Sequence, residues 1–592
     1  MKKVIAIVEK DKCRPDKCQH ECIKYDPINK SGGEGFHLGF SGKSEISEEI
    51  VMEMHKLCAK KCPFQAIHIV NLPEKLNEPP IHSFGRNSFE LFSLPIVKKN
   101  TIVGIIGRNG IGKSTALQIL TANIKPNLGK YKDNISNEEI IKRYSNVLLG
   151  DYFKKLFNKE IKLSYKPQRV DFIASLYKDH TVKELLIKVD DKNIHEKLIK
   201  DLDMELLVDR KIQDLSGGEL QRLAIIATAS KKADVYYFDE PSSFLDISHR
   251  IKVAKLIRSL SVDASVVVVE HDLATLDYIS DEIQIVYGEP ACYGVFSQSK
   301  AVSRGINEYM DGLLPDENLR FRNYSIVFSE KPIERVLSQE VMIEVPVLTK
   351  SFDNFKLETT KNVIHKGEVL AVMGANGLGK STYLKIIAGF EIPDNVKLSP
   401  LKLSYKPQYL DHDVDISVEN YLMINIGSEF STGWFKTNIL EKLNVQAILN
   451  NNMNSLSGGE LQKVYIAAAL FKPNIDLVAM DEPSAFIDVE DRLKVAEIIK
   501  EYISMKEITA IIVDHDIQFI DYLADSLLVF EGVAAKHGIV HGPFSKRDGM
   551  NRVLKSLDIT YRRDKVSGRS RINKPGSQLD QEQRSKGNYY YT

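Results

Sequence analysis

Nowhere do the 592 residues run apolar for the roughly 18 positions that a bilayer-spanning helix needs. The opening, Met1-Lys-Lys-Val-Ile-Ala-Ile-Val-Glu-Lys10, turns charged too soon for a secretory signal. A membrane partner is therefore not expected, and the expected compartment is cytoplasmic. Net charge is missing as well. Eighty Lys and Arg residues balance 80 Asp and Glu residues, which excludes a broadly basic nucleic-acid coat and leaves only local patches. Tryptophan occurs once and cysteine six times. Five of those cysteines fall between Cys13 and Cys62, and in a reducing compartment such clustering points to metal binding more than to disulfides. The remaining composition, 43% hydrophobic and 27% charged, is that of an ordinary globular protein too long for one core.

What the chain has in excess is repetition. Leu215-Ser-Gly-Gly-Glu-Leu-Gln-Arg222 returns as Leu456-Ser-Gly-Gly-Glu-Leu-Gln-Lys463. Each opens an apolar helical pattern, so backbone N–H groups and a free hydroxyl are expected at a helix N-terminus that favours an anion. The buried strand Ile102-Val-Gly-Ile-Ile106 runs into Gly107-Arg-Asn-Gly-Ile-Gly-Lys-Ser114, and Val369-Leu-Ala-Val-Met373 runs into Gly374-Ala-Asn-Gly-Leu-Gly-Lys-Ser381. Both are G-x-x-x-x-G-K-S in the strand–loop–helix context that a phosphate-binding loop requires. The backbone of Gly107, Asn109, Gly110 and Gly112, with Thr115, would close around phosphates, Lys113 would reach the terminal ones, and Ser114 would offer a hydroxyl to Mg²⁺. Gly374, Asn376, Gly377, Gly379, Lys380, Ser381 and Thr382 repeat the set.

Other pairs follow in the same order. Tyr165-Lys-Pro-Gln168 matches Tyr405-Lys-Pro-Gln408, and strands ending in Asp239-Glu240 and Asp481-Glu482 match one another. Further strands end in His271 and His515. Glutamine, signature serine, glutamate and histidine recur 240 to 244 residues apart, but the lysines, Lys113 and Lys380, stand 267 apart. The first copy thus carries about 27 extra residues, near 134–162. There Ser136-Asn-Glu-Glu139 reads as a helix cap, and a helix–loop–helix insertion is expected.

Assembled, each copy resembles an ABC-type nucleotide-binding domain over about 200 residues. The resemblance implies two ATP molecules buried between paired cassettes. One site would use Lys113, Ser114, Gln168, Asp239, Glu240 and His271 with Ser457 and Gly459. The other would use Lys380, Ser381, Gln408, Asp481, Glu482 and His515 with Ser216 and Gly218. Phosphoryl transfer to water needs positioning and charge neutralisation. Asp239 and Asp481 would hold Mg²⁺ with the two serines, Glu240 and Glu482 would polarise the attacking water, and the glutamines and histidines would sense metal and γ-phosphate. Phe84 stands where such cassettes stack adenine. The second copy offers Val345-Pro346 where Tyr-Pro is expected, which implies a lost stacking face.

The first 75 residues carry Asp11-Lys-Cys-Arg-Pro-Asp-Lys-Cys-Gln-His-Glu-Cys22 and Cys58-Ala-Lys-Lys-Cys-Pro-Phe64 between the strands Val4-Ile-Ala-Ile-Val8 and Ala66-Ile-His-Ile-Val70. With Glu317-Asn-Leu-Arg-Phe-Arg322, Leu557-Asp-Ile-Thr-Tyr-Arg-Arg563 and the insertion, this module resembles the ABCE (RNase L inhibitor) family of ribosome-recycling ATPases over essentially the whole chain. That family carries eight cysteines for two [4Fe–4S] clusters. Here the first run reads Cys13, Cys18, Cys22, Asp26 and the second reads Met52, His55, Cys58, Cys62. In two-cluster ferredoxins the fourth cysteine of each run ligates the other cluster. Cys13, Cys18, Cys22 and Cys62 would then be complete, while Met52, His55, Cys58 and Asp26 would not. One cluster kept and one lost is the expectation, with a structural Zn²⁺ on the same thiolates or no metal as alternatives.

The implied architecture is multidomain α/β. A ferredoxin-like α+β domain (1–75) precedes a first ABC domain (76–300), a hinge (301–335), a second ABC domain (336–545), and a second hinge and carboxy-terminal tail (546–592), in which Gln581 to Thr592 is polar and expected to be loose apart from its three tyrosines. The resemblance implies a monomer with intramolecular cassette pairing that splits ribosomes after termination or rescue and stays on the small subunit. Its partners would be the ribosome with its rRNA, a release or rescue factor, and initiation factors. The run Arg562, Arg563, Lys565, Arg569, Arg571 and Lys574 is then a candidate to brace the cassettes and touch RNA phosphates. Competing readings are an ATP-gated scaffold for ribosome or initiation-complex assembly, and the ATPase subunit of a transporter.

Overall fold

A computed structural model describes residues 4–73, 76, 78–145, 147–326, 340–398, 401–411, 413–564 and 567–591. The end of the first module at 74–75, the last part of the first hinge (327–335) and Lys565 lie outside those residues. The chain divides into two compact units, one of residues 1–244 and 249–325, the other of residues 245–248 and 326–592.

In the first unit the two N-terminal apolar runs pair antiparallel as β1 (Val4–Val8) and β2 (Ile67–Asn71). One face of this ribbon packs on the module's own core, with Cys13, Cys22, Phe36, Ile46 and Cys58. The other, through Ile5 and Ile7, packs on Cys292, Tyr293 and Val295 of the first cassette. Cys292 is fully buried there. Asn87, buried and at φ +51°, completes the joint. Its side chain donates to the Ala6 carbonyl at 3.0 Å and accepts from the Ile46 N–H at 2.9 Å, while its carbonyl accepts from the Val8 N–H at 2.8 Å. Buried polar groups satisfied this fully fix one orientation of the packed layers.

The strands of the first cassette are β3 (His82–Ser83), β4 (Glu90–Leu91), β5 (Ile102–Ile106), β6 (Leu163–Lys166), β7 (Val235–Asp239), β8 (Ser265–Val269), β9 (Glu282–Glu289) and β10 (Tyr293–Phe296). They lie in the order β3-β4-β10-β9-β5-β8-β7-β6, with Lys300–Ala301 pairing β9 at the side. β5, β6, β7 and β8 are neighbours in parallel. Near-continuous Val and Ile runs are what a sheet covered on both faces demands. The second cassette repeats the order with β11 (Thr349–Phe352), β12 (Phe355–Thr359), β13 (Val369–Met373), β14 (Leu403–Lys406), β15 (Leu477–Asp481), β16 (Thr509–Val513), β17 (Ser526–Val533) and β18 (His537–Ser545). Its order is β11-β12-β18-β17-β13-β16-β15-β14.

Residues 137–157 hold two helices, Asn137–Arg143, capped by the Ser136 hydroxyl on the Glu139 N–H at 3.1 Å, and Leu148–Phe157. Tyr152 ties the second helix to the cassette through the Leu120 carbonyl and the Tyr237 hydroxyl, both at 2.6 Å. The carboxy-terminal segment differs from the loose tail that its polarity predicts. Gln578–Ser585 is helical, and the hydroxyls of Tyr590 and Tyr591 both donate to the buried Asp521. The basic run is also partly internal. Arg569 is fully buried and Arg571 pairs with Asp564 at 3.0 Å, so neither faces solvent phosphates.

Candidate functional sites in the two cassettes and the amino-terminal module

Each P-loop turns from the end of its central strand into a helix, Lys113–Leu120 or Lys380–Ile387, whose first residue is the lysine. The preceding glycine is left-handed, Gly112 at φ +93° and Gly379 at φ +89°. A Cβ there would meet the Phe89 ring at 2.6 Å or the Phe355 ring at 2.8 Å, so only glycine fits. Lys113 is buried, and its Nζ donates to the Gly107 and Arg108 carbonyls at 2.9 and 2.6 Å. Lys380 does the same to Gly374 and Ala375 at 2.9 and 2.7 Å. Burial pushes the Lys380 ammonium down to about 8 against the pull of nearby carboxylates. An ammonium held over its own loop carbonyls is placed to meet phosphate oxygens entering the same cradle.

Asp239 ends β7 and Glu240 follows it, and Asp481 ends β15 and Glu482 follows it. Both glutamates sit at φ +48°, a strained setting for a non-glycine residue. Gln168 Nε2 donates to Glu240 Oε1 at 2.7 Å, and His271 Nε2 lies 3.3 Å from the same oxygen. In the second site Gln408 donates to Glu482 at 2.7 Å and His515 Nε2 lies at 3.6 Å. Burial alone would raise the Glu240 carboxyl, but His271, Lys113 and Lys166 outweigh it and hold it down to about 2. Asp239 goes the other way. Burial and the Glu240 charge push it up to about 6 against the pull of the Ser114 hydroxyl, and neither of its buried oxygens receives a hydrogen bond of normal geometry. Such an orphaned carboxylate beside a P-loop fits a divalent cation. Asp481 is also raised by burial, yet it accepts from Ser381 Oγ at 2.6 Å, which brings hydroxyl and carboxylate together.

Two pairs of residues in these sites were not read from the sequence. Lys166 and Lys406 are buried at the ends of β6 and β14 and donate to the carbonyls of Asp239 and Glu240, and of Asp481 and Glu482. Gln221 and Gln462 donate to the Glu240 and Glu482 carbonyls, both at 2.7 Å. All four stand inside the repeated motifs, and that repetition is the signal that finds them.

The signature serines cap helices Gly217–Ser230 and Gly458–Leu470. Their hydroxyls are not free as expected. Ser216 Oγ donates to Glu219 at 2.8 Å and Ser457 Oγ to Glu460 at 2.7 Å, and each glutamate also takes the serine's own N–H. A Cβ on Gly218 or Gly459 would stand 2.8 Å from the Phe244 or Phe486 carbonyl.

The stacking positions resolve through strand register. His82 pairs with Leu91 and Ser83 with Glu90, so Phe84 lies opposite Phe89, whose carbonyl accepts its N–H at 3.4 Å. Phe352 pairs with Phe355. Phe89 and Phe355 are the rings against the third P-loop glycine of each copy, so Phe352 occupies the place of Phe84. Both are open to solvent, 53% for Phe84 and 46% for Phe352, whereas Val345 is fully buried. Val345 is thus a core residue, and register makes Phe352 the second copy's counterpart of Phe84.

In the amino-terminal module the thiols sort into two groups. Burial raises Cys22 and Cys62, with Cys62 and Cys13 adding to the first, and Cys13 and Cys18 to the second. Cys58 is pushed up to about 12 by burial and by Asp26, then Cys22. Asp26 and His55 are both fully buried, with Nε2 3.6 Å from Oδ1. Asp26 accepts the N–H groups of Ile28 at 2.7 Å and Phe36 at 2.6 Å, and the His55 ring stands edge-on to Phe36 at 5.9 Å. Among the described residues no three His, Cys, Asp or Glu side chains gather closely enough to share a single metal ion.

Sheet order, P-loops and carboxylate pairs define a twin-cassette protein of the ABC class. A family model described as ABC transporter matches residues 95–243 and 357–485, and one described as a possible Fer4-like domain in RNase L inhibitor matches residues 4–34. The chain is 43% identical over 591 residues to an uncharacterized ABC transporter ATP-binding protein of Methanocaldococcus jannaschii, covering 99% of this chain and 97% of that one. It is 41% identical over 596 residues to translation initiation factor RLI1 of Saccharomyces cerevisiae, covering 99% and 98%. A structure of ribosome-bound archaeal Pelota and ABCE1 superposes with a TM-score of 0.93 at 46% identity over the full length of both chains. The chain belongs to the RNase L inhibitor (ABCE) family, and its two cassettes make it an ATPase. No helix among the described residues is long and apolar enough to cross a membrane.

Proposed function

We propose that this ATPase separates ribosomal subunits after termination or rescue and remains with the small subunit. The observation that carries the reading is the joint at Asn87. It locks a cysteine-bearing module onto a cassette with a full hydrolytic set, so nucleotide-driven movement of that cassette is movement of the module. Relatives point the same way. One similar structure holds ABCE1 with ribosome-bound Pelota, and another, a complex of archaeal ribosomal stalk protein aP1 with the recycling factor aABCE1, has a TM-score of 0.82 at 46% identity. Ribosome, rRNA, a release or rescue factor and initiation factors are the partners this reading assigns.

Within each site the lysine neutralises phosphate charge, while Gln168 and His271, or Gln408 and His515, hold the glutamate. Glu240, kept anionic near neutral pH, orients and polarises water. Mg²⁺, when bound to Asp239 with Ser114 or Asp481 with Ser381, would neutralise charge developing on the transferred phosphoryl group. Phe84 and Phe352 supply the faces for adenine. Ser216 and Gly218 would serve the nucleotide at Lys380, and Ser457 and Gly459 the nucleotide at Lys113, through intramolecular pairing of the cassettes. Cys13, Cys18, Cys22 and Cys62 would hold one [4Fe–4S] cluster. The Asp26–His55 pair occupies the place of the second.

The test replaces Glu240 and Glu482 by Gln and follows the splitting of intact ribosomes into subunits by sedimentation. A recycler binds ATP, splits at most once and stalls on the small subunit. A scaffold works unchanged through repeated rounds, and that result overturns the reading.

A further inference from the structure

The turn that carries each catalytic glutamate is held from beneath by a lysine that no solvent reaches. Lys166 ends β6 in register with Phe238, so its side chain passes beyond the strand end to the next two residues of β7's exit. Its Nζ donates to the Asp239 carbonyl at 2.8 Å and the Glu240 carbonyl at 3.1 Å. Gln221 adds a third donor to that turn, at 2.7 Å on the Glu240 carbonyl. Lys406, in register with Met480, repeats this at 2.7 Å on Asp481 and 3.2 Å on Glu482, and Gln462 at 2.7 Å on Glu482. The exposures of the two lysines are 0% and 1%.

Burying an ammonium costs several kcal/mol unless its surroundings repay it, so an apolar side chain would serve packing better. The repayment is local. Asp239, Glu240 and Glu270 face Lys166, and Asp481, Asp514 and Glu482 face Lys406, yet burial still lowers both ammonium groups to about 8. What the lysines achieve in return is conformational. Glu240 and Glu482 both sit at φ +48°, where backbone strain must be over-determined to persist. Donors on two successive carbonyls of the same turn do that. Two residues further on, Gln168 and Gln408 grip the carboxylate of the same glutamate.

We propose that Lys166 and Lys406 are positioning residues for ATP hydrolysis: they clamp the strained turn so that Glu240 and Glu482 present their carboxylates to the attacking water. The Lys-Pro-Gln unit thus holds one glutamate by its backbone and its side chain together. This inference rests on the reading of those glutamates as the groups that polarise water.

The test compares Lys166→Met with Lys406→Met, singly and together in the full chain. ATP turnover is measured alongside binding of a fluorescent ATP analogue and the melting curve. Loss of positioning should lower kcat of the double variant by about ten- to a hundredfold, with the analogue's Kd within about threefold. A kcat within about twofold of the parent, or kcat and affinity falling in proportion, overturns the proposal. If the methionine variants do not unfold cooperatively, Gln221→Met with Gln462→Met decides. A severalfold fall in kcat at constant Kd supports the clamp, and unchanged kcat refutes it. Glu240→Gln with Glu482→Gln separates the two readings. If those variants keep turnover, the reading of the glutamates fails; if they lose it while the lysine variants do not, only the clamp fails.

Discussion

The two nucleotide sites and the two halves of the amino-terminal module are both repeated, and they have fared differently. Between the sites the glutamine-to-glutamate bond is 2.7 Å in each, the supporting glutamine bond is 2.7 Å in each, and both glutamates hold φ +48°. Between the halves of the module, Cys13, Cys18, Cys22 and Cys62 stand on one side. On the other are a carboxylate, an imidazole and one thiol raised to about 12. Where a ligand must still be met, the residues that support its contacts are retained with them. At Asp26 and His55, backbone hydrogen bonds and a ring contact fill the space.

The sharpest way to break this comparison is through iron. Cys18→Ser should abolish the visible absorbance of the cluster and nearly all bound iron, whereas Cys58→Ser should leave both intact. Anaerobically prepared protein should carry about four irons and four sulfides per chain. About eight would mean that the second half still binds a cluster, and the contrast between the halves would vanish.

A smaller but still large effect is expected at Asp26. Its carboxylate accepts from Ile28 and Phe36 and faces His55 in a fully buried setting. Asp26→Ala strands those buried N–H groups, costing about 3 kcal/mol locally. Hydrogen exchange should show it as loss of protection in residues 22–36 with the cassettes unchanged. If protection survives, the pair is not what replaced the second cluster.

Next comes a difference between the nucleotide sites themselves. Asp239 stands at about 6 because burial and Glu240 disfavour its charge, so it is anionic above that pH and increasingly neutral below it. Metal binding needs the anion, and apparent affinity should fall by up to about tenfold per pH unit below about 6. Asp481 is raised by burial too, but without the added push that Glu240 gives Asp239, so its site should hold metal to lower pH. Mn²⁺ titrations followed by EPR at pH 7 and pH 5.5, with a non-hydrolysable ATP analogue present, should resolve two classes at the lower pH only. A single class at both values would make the sites equivalent.

Much of this was legible because motifs recurred in one order, with one insertion accounting for the main change in their spacing. The strands before each P-loop, the Asp-Glu pairs and the histidines lie where period and flanking glycines put them. What escaped depends on contacts between distant segments. Burial of a lysine is not written in its neighbours, so Lys166 and Lys406 read as ordinary members of Tyr-Lys-Pro-Gln. Arg569 looked like a solvated charge and is internal, and the tail tyrosines gain their partner only when Asp521 is brought to them. The crossing of thiols in the module was readable only through the resemblance.

The smallest effect concerns the aromatic faces, and there the sequence misleads for a definable reason. Phe84 stands 29 residues before Lys113 and Phe352 stands 28 before Lys380, but a reading that looks for Tyr-Pro settles on Val345-Pro346 instead. Register removes the ambiguity: both rings lie opposite the phenylalanine that abuts the third P-loop glycine, and both are open. Removing one stacking face costs about 1 kcal/mol, or about fivefold in affinity. Phe352→Ala should therefore weaken ATP at the second site about as much as Phe84→Ala does at the first, while GTP binding changes less. Val345→Ala should behave in the opposite manner. Its side chain is fully buried in the second cassette's core, so truncation should lower the melting temperature and leave nucleotide affinity alone. Weaker nucleotide binding in Val345→Ala with none in Phe352→Ala would return the stacking role to Val345's neighbourhood and make the two sites unequal after all.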